Sequence, residues 1–314
     1  MIKIKYLTTI DLNDYYNVIK DIPLDLSKGK KERIKFNKEI LKHWSSKRIS
    51  LEELFVLCKS KKIFDFDKIF DRSLTFKRLI IDDFEGLLNI KENIFYNRIK
   101  QNLGLKFLFN YSAHQGEISL FLTKNVELQT CYYCNIDFIN LIKFYDVDDF
   151  LNNAPEGIVK HLNIPEKITN IILKKRKNEF ISSSLVRGQL SYIESEMQKI
   201  NSSNFFTIDH VIDKVRNPWF SLSLKNLVPC CYACNSKLKR SDSFGNVSPT
   251  SNSFDFNNSV KFQLLQDSKL VKIEELIKDK NKIRIKLQKE FVYAEYINIL
   301  RLNPRYEFHK AIVY

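Results

Sequence analysis

Two pairs of cysteines and one adjacent acid and imidazole are the residues of this chain best suited to chemistry. Cys131 and Cys134 form one C-x-x-C unit, and Cys231 and Cys234 form another. Two thiolates at this spacing can turn onto one cation, and two such turns complete a tetrahedral four-sulfur site, which reads as structural zinc. Pairs of ordinary core cysteines are the bland alternative, since cysteine is common in interiors. Two matched units make a more specific signal than that. A thioredoxin-like redox role is disfavoured, because no strand–helix–strand pattern surrounds Cys131. Cys230 adjoins the second unit, but Cys231 gives the C-x-x-C spacing. Cys58 reads as a core residue on a helix.

Asp209 and His210 lie between the pairs, at the end of the apolar stretch NFFTIDHV. The carboxylate suits a hard cation such as Mg2+ or Mn2+, and an imidazole titrates near neutrality. Hydrolysis of a phosphodiester needs a base, a cation that neutralises charge, and groups that hold both. Neighbours on a strand point to opposite faces, so a strand end or bend must bring this pair to one site. Asn235, directly after Cys234, adds an amide oxygen for the cation, anchored by the second cysteine turn. Asn226, ahead of Leu227-Val228-Pro229, can hydrogen-bond across the intervening loop. Lys237 and Lys239 lie where a phosphate would pass. Of the five histidines, only His210 stands beside such a carboxylate. His114, in NYSAHQGE, reads as an ordinary surface residue. A lone Asp-His pair means little, and the weight is carried by the order: C-x-x-C, Asp-His, Asn-Leu-Val-Pro, then C-x-x-C-Asn and lysines.

That order resembles the zinc-containing HNH (ββα-metal) endonucleases, and FTIDHV followed by LKNLVPCCYACNSKLK is similar to their core. The resemblance implies a β-hairpin and helix gripping a divalent cation. It puts the general base on His210, the metal-binding acid on Asp209, the loop-bracing residue on Asn226 and the third motif position on Asn235. A narrower resemblance is carried by IDHVIDKVRNPWFSLSLKNLVPCCYACNSKLK and, near the C-terminus, by RYEFHKAIV. It is to the HNH proteins of bacterial antiphage defence, including the HNH subunit of the Septu system, and implies an SMC-like or ABC-type ATPase partner. The family pattern D-H-x-x-P-K is broken here, since Asp213 stands where proline is usual. Lys214 keeps the lysine position, as a nucleic-acid contact, and Asp213 reads as a loop residue rather than a second acid near the metal. The activity implied is endonucleolytic, on DNA rather than RNA. The alternatives are an RNase acting on tRNA and a zinc-stabilised nucleic-acid-binding module without hydrolysis; intact Asp209, His210 and Asn235 speak against the last.

The elements that must position these groups follow from apolar spacing. The expectation is an α+β chain: a largely helical N-terminal region (1–125), a ββα-metal HNH core with paired zinc knuckles and inserted helices (126–260), and a C-terminal strand and helical segment (261–314). Phe36, Ile40 and Trp44 recur every fourth residue, as on one helical face. Ser50-Leu51-Glu52-Glu53 fits a capping box. Leu74–Ile81, Phe84–Ile90 and Ile94–Leu108 continue the helical pattern. Val260–Leu265 and Ile283–Leu287 read as strands, with helices over 291–301 and 304–313. Hydrophobic residues make up 44% of the chain, which is enough for a packed core. The N-terminus shows no signal-peptide pattern and no apolar run reaches bilayer length, so a cytoplasmic location without membrane contact is expected. There, six cysteines call for a metal rather than disulfides.

The net charge of +14 favours polyanionic partners, with basic runs at Lys174–Lys177 and Lys237–Arg240. Each phosphate neutralised by a lysine or arginine releases counterions, so log affinity for polynucleotide falls linearly with log salt. Filter binding across a salt series measures the slope. Affinity unchanged between low and physiological salt would show the charge to be compositional only.

Overall fold

The computed structural model of the chain describes residues 9–28, 31–93, 103–126, 128–139, 194, 206–266, 283–288 and 291–309. By contact, residues 1–139 and 206–314 belong to one unit and 140–205 to another. The expected inserted helices and the basic run at Lys174–Lys177 lie outside the described residues. The described elements mix helices with small antiparallel sheets, an α+β arrangement.

The N-terminal region is helical with one short hairpin. Helices α1 (Thr9–Lys20), α2 (Lys31–Leu41), α3 (Leu51–Ser60), α4 (Phe66–Ile69), α5 (Phe76–Ile81), α6 (Phe84–Asn93), α7 (Leu103–Leu108) and α8 (Tyr111–Asn125) surround strands β1 (Pro23–Asp25) and β2 (Arg48–Ser50). Strand β2 runs straight into α3, and Ser50 supplies the cap: its hydroxyl accepts from the Glu53 amide while the Glu53 carboxylate accepts from the Ser50 amide. Phe55 gathers Phe66, Phe70 and Phe76 with ring centroids 5.5–6.1 Å apart, so aromatic packing sets the core of this half. Helix α2 stops at Leu41, short of Trp44. Trp44 instead stands in the turn before β2, half-exposed, with its indole N–H on the Arg48 carbonyl at 3.0 Å. A polar partner within reach thus took Trp44 off the predicted helical face. Cys58 is buried in α3.

The second half holds two hairpins and the helices beside them. Strand β3 (Thr207–His210) pairs antiparallel with β4 (Leu227–Cys230), with His210 opposite Leu227 and Thr207 opposite Cys230. Helix α9 (Ala233–Lys239) follows, wound as a π-helix, and ends with the Arg240 N–H on the Asn235 carbonyl five residues back. After α10 (Phe256–Ser259), strands β5 (Lys261–Gln266) and β6 (Ile283–Gln288) form an antiparallel pair. Helices α11 (Ala294–Ile299) and α12 (Leu302–Phe308) close the described chain. Glu307 and Asn303 side chains of α12 accept the Ile285 and Leu287 amides, which fastens that helix along β6. Among the described residues no helix is long and apolar enough to cross a membrane.

His114 is not the surface residue its polar neighbours suggested. It is buried in α8, its Nε2 has no hydrogen-bond partner among the described residues, and burial lowers its pKa below the usual histidine value. The reason is its place on the inward face of α8, with Tyr111 and Ile118. In the unfolded chain it takes up a proton near pH 6.5, whereas the folded chain resists until lower pH. Its contribution is therefore complete above about pH 6.5 and lost as pH falls below that value. The unfolding midpoint should drop more steeply on acidification in the wild type than in a His114→Leu variant. Equal slopes would show that His114 is not held neutral.

Candidate metal centre and active site

The first cysteine turn is a tight hairpin. The Ile139 amide donates to Gln129, Thr130 bridges Phe138, and the Cys131 amide donates to Asp137 at 2.8 Å. Asn135 closes the turn in a left-handed conformation (φ 52°), which asparagine tolerates better than most residues, and its side-chain oxygen accepts from the Thr130 hydroxyl. The second turn lies between β4 and α9, with the Asn235 amide on the Cys231 carbonyl and the Cys234 amide on the Cys231 sulfur. The two turns meet. Sulfur atoms of Cys131, Cys134, Cys231 and Cys234 all lie within 4.8 Å of one another and all four residues are buried. Sulfurs around a tetrahedral zinc sit about 3.8 Å apart, given a Zn–S bond of about 2.3 Å, so the cluster is close to the size one metal ion requires. Cys230 is excluded from it. Its sulfur faces Thr207 across the hairpin, 3.6 Å from both the hydroxyl and the carbonyl oxygen.

The C-terminal helices seal this centre. Arg305 of α12 donates Nη1 to the Cys234 sulfur at 3.1 Å and Nη2 to the Cys134 sulfur at 3.4 Å, and pairs with Asp137 at 2.9 Å. Tyr306 donates to the Cys134 carbonyl and buried Tyr296 to the Tyr133 carbonyl. A cation between two sulfurs offsets negative charge that four thiolates leave even after one divalent ion is bound. Arginine-tyrosine in RYEFHKAIV was the available signal, but nothing in its spacing indicated sulfur.

Asp209 and His210 end β3, both buried. Two groups meet on one oxygen of Asp209: the Tyr133 hydroxyl, 2.5 Å from Oδ2, and the Lys239 ammonium, 3.0 Å from the same atom. Burial pushes the Asp209 carboxyl above its usual range, against the opposing pull of Lys239 and Tyr133. Lys239 also donates to the His210 carbonyl at 3.0 Å and is 1% exposed. It is thus an internal counter-ion and not a lysine exposed for a passing phosphate, because the turns of α9 bring it back onto β3. Asn235, half-exposed on the same helix, has its Nδ2 3.5 Å from the Ile208 carbonyl.

The His210 ring lies against Tyr111 of α8, edge to face with centroids 4.5 Å apart. Its Nε2–H donates to the Ser221 carbonyl at 3.0 Å. This fixes the tautomer and leaves Nδ1 as the proton acceptor. Burial first, and then the nearby Lys214 charge, hold its pKa down at about 3, so the imidazole is neutral at pH 7. Asn226 is fully buried: its Oδ1 accepts the Ile212 amide at 2.6 Å, and Nδ2 donates to the Ile212 and Phe220 carbonyls at 3.1 and 3.0 Å. These bonds tie both ends of the loop from 211 to 226. Asp213 caps a turn in that loop, accepting the Val215 amide at 2.9 Å with Oδ1. Lys214 is exposed with its ammonium 4.6 Å above the Tyr111 ring centre, and Lys237 is exposed 5.6 Å above Tyr232.

Removal of an outer partner of a metal ligand typically costs about 10–100-fold in metal affinity. Arg305→Leu should lose metal to a chromogenic chelator by that factor, while Cys230→Ala should retain it. Equal retention in Arg305→Leu and wild type would show that the guanidinium does not act on the cluster.

No family model, curated protein or solved structure matches the chain, so its chemistry is read from these residues.

Proposed function

We propose that the chain is a metal-dependent nuclease of the HNH (ββα-metal) class, hydrolysing phosphodiester bonds. The observation that carries this reading is the state of His210: a neutral imidazole, oriented by the Ser221 carbonyl with Nδ1 as its basic nitrogen, directly after Asp209 on the strand of a hairpin–helix unit. Such a nitrogen can take the proton of a water attacking phosphorus. A bound phosphate would bring negative charge near the ring and raise its basicity from the low value of the free site. Carboxylate and amide oxygens are suitable donors to a hard cation, so Asp209 and Asn235 are the residues that would hold Mg2+ or Mn2+. That ion supplies charge neutralisation at the scissile phosphate and leaving oxygen. Asn226 holds the loop that carries Ser221, and exposed Lys214 and Lys237 are placed to meet phosphates. For the four-cysteine cluster, a buried all-sulfur donor set of this size suits structural zinc.

DNA is the favoured substrate, and a role in bacterial antiphage defence beside an SMC-like or ABC-type ATPase rests on the sequence resemblance alone. One observation favours a second reading, a zinc-stabilised nucleic-acid-binding module without hydrolysis. Lys239 already neutralises the carboxylate that the divalent cation would need.

The test is incubation of the protein with plasmid DNA and with total RNA, with Mg2+ or Mn2+ and with chelator, in the presence of any ATPase encoded beside it. His210→Ala should keep fold and zinc yet lose at least about 10²-fold in cleavage. Asp209→Ala and Asn235→Ala should weaken the response to divalent metal. Asn226→Ala should act through stability, since three buried hydrogen bonds go with it. A folded His210→Ala variant that cuts as fast as the assembled wild type would place the base elsewhere. No cleavage of either polymer, with salt-sensitive binding retained, would support the second reading.

A further inference from the structure

The N-terminal helices carry no chemical motif, yet two of their residues, Phe109 and Tyr111, reach the hairpin–helix unit. The Phe109 carbonyl accepts the Ser221 hydroxyl at 2.5 Å, which holds the residue whose carbonyl orients His210. Two residues later, Tyr111 opens α8 and lays its ring against the imidazole, centroids 4.5 Å apart and planes at 86°. The same ring takes the Lys214 ammonium at 4.6 Å from its centre. An ammonium is attracted to the negative face of an aromatic ring, and an edge-to-face pair of rings is likewise attractive. Tyr111 is buried, and its hydroxyl has no hydrogen-bond partner among the described residues. What the protein uses there is the ring.

We infer that Tyr111 is a positioning residue: its ring is a shared platform that fixes the His210 imidazole and the Lys214 ammonium relative to each other, so that the stretch from 109 to 111 holds the base from two sides. This rests on the reading of Asp209 and His210 as a hydrolytic centre. Without the ring, the imidazole keeps one anchor, the Ser221 carbonyl, and can turn about it. Lys214 loses the face that directs it. Both changes spoil alignment more than binding, and a displacement of about 1 Å can cost about 10²-fold in rate.

The test compares Tyr111→Phe, which keeps the ring, with Tyr111→Leu, and with Tyr111→Met should the leucine variant fail to fold. Unfolding midpoint and zinc content establish that each variant is folded. Tyr111→Phe should cleave at the wild-type rate and be at least as stable, since it discards an unpaired buried hydroxyl. The leucine or methionine variant should lose about 10–100-fold in kcat with far less change in KM. Nitrogen-15 spectra of the His210 ring add a readout independent of cleavage. Wild type and Tyr111→Phe should show one Nε2–H tautomer, and the ring-deleted variant a mixture. A ring-deleted variant with wild-type kcat and a single tautomer would overturn the proposal, as would loss of cleavage in folded Tyr111→Phe, which would assign the action to the hydroxyl. Should the wild type cleave neither polymer while the tautomer responds as expected, the hydrolytic reading fails and the platform stands.

Discussion

A carboxylate buried at the end of a two-stranded hairpin needs partners to remain charged, and the partners of Asp209 organise the unit around it. Burying an ion costs several kcal/mol unless charge and hydrogen bonds compensate. The Tyr133 hydroxyl comes from inside the first cysteine turn, and the Lys239 ammonium comes from the last turn of α9. One carboxylate oxygen therefore joins three segments far apart in sequence: the first knuckle, strand β3 and the helix behind the second knuckle. Removing either partner leaves a buried charge exposed to its desolvation cost, so the three segments are held in one arrangement. The four-cysteine cluster supports the same arrangement from the other side, because Tyr133 lies between Cys131 and Cys134 and cannot move independently of them.

The second constraint is on the loop from 211 to 226. A short hairpin with a connection of this length does not set its own loop. Here Asn226 closes the loop from within, and the N-terminal helices hold it from outside. Tyr15 donates to the Leu222 carbonyl at 2.8 Å, Ser221 donates to Phe109, and Ser223 donates to Leu79. All of these groups are buried, where an unmet carbonyl or hydroxyl costs about 1–3 kcal/mol. This is why residues 1–139 and 206–314 form one unit, and why the helical half, bare of chemical motifs, bears on the site at all.

Much of the local structure was legible along the chain. The capping box at Ser50 works through atoms three residues apart, so spacing alone reveals it. The strands at 261–266 and 283–288 were legible too, the second from an apolar alternation that needs no knowledge of the partner. The cysteine pairs also announce themselves, because C-x-x-C confines two sulfurs locally and only the meeting of the two turns is long-range. Cys231 rather than Cys230 follows from the same spacing, and the strand geometry turns Cys230 toward Thr207. Failures came where a side chain answers to a partner outside its own element. Trp44 found a carbonyl beyond the helix, His114 faced inward, and Lys239 turned onto Asp209 instead of toward solvent.

The sequence by itself determined the kinds of groups present and their local spacing: two thiol pairs, an acid beside an imidazole, and an asparagine after each second cysteine. Those two asparagines show where its reach ends. Asn135 takes the left-handed turn of a hairpin, while Asn235 enters a π-wound helix, although each follows the same motif. Only the tertiary structure decided which lysine is buried and which exposed, which nitrogen of His210 carries the proton, and that Tyr111, Tyr133 and Arg305 belong with the site. The reason is physical. Tautomer, charge state and exposure are set by desolvation and by groups that only folding brings together, such as Ser221 on His210 at a separation of 11, Lys239 on the His210 carbonyl at 29 and Tyr133 on Asp209 at 76, and no local pattern encodes them.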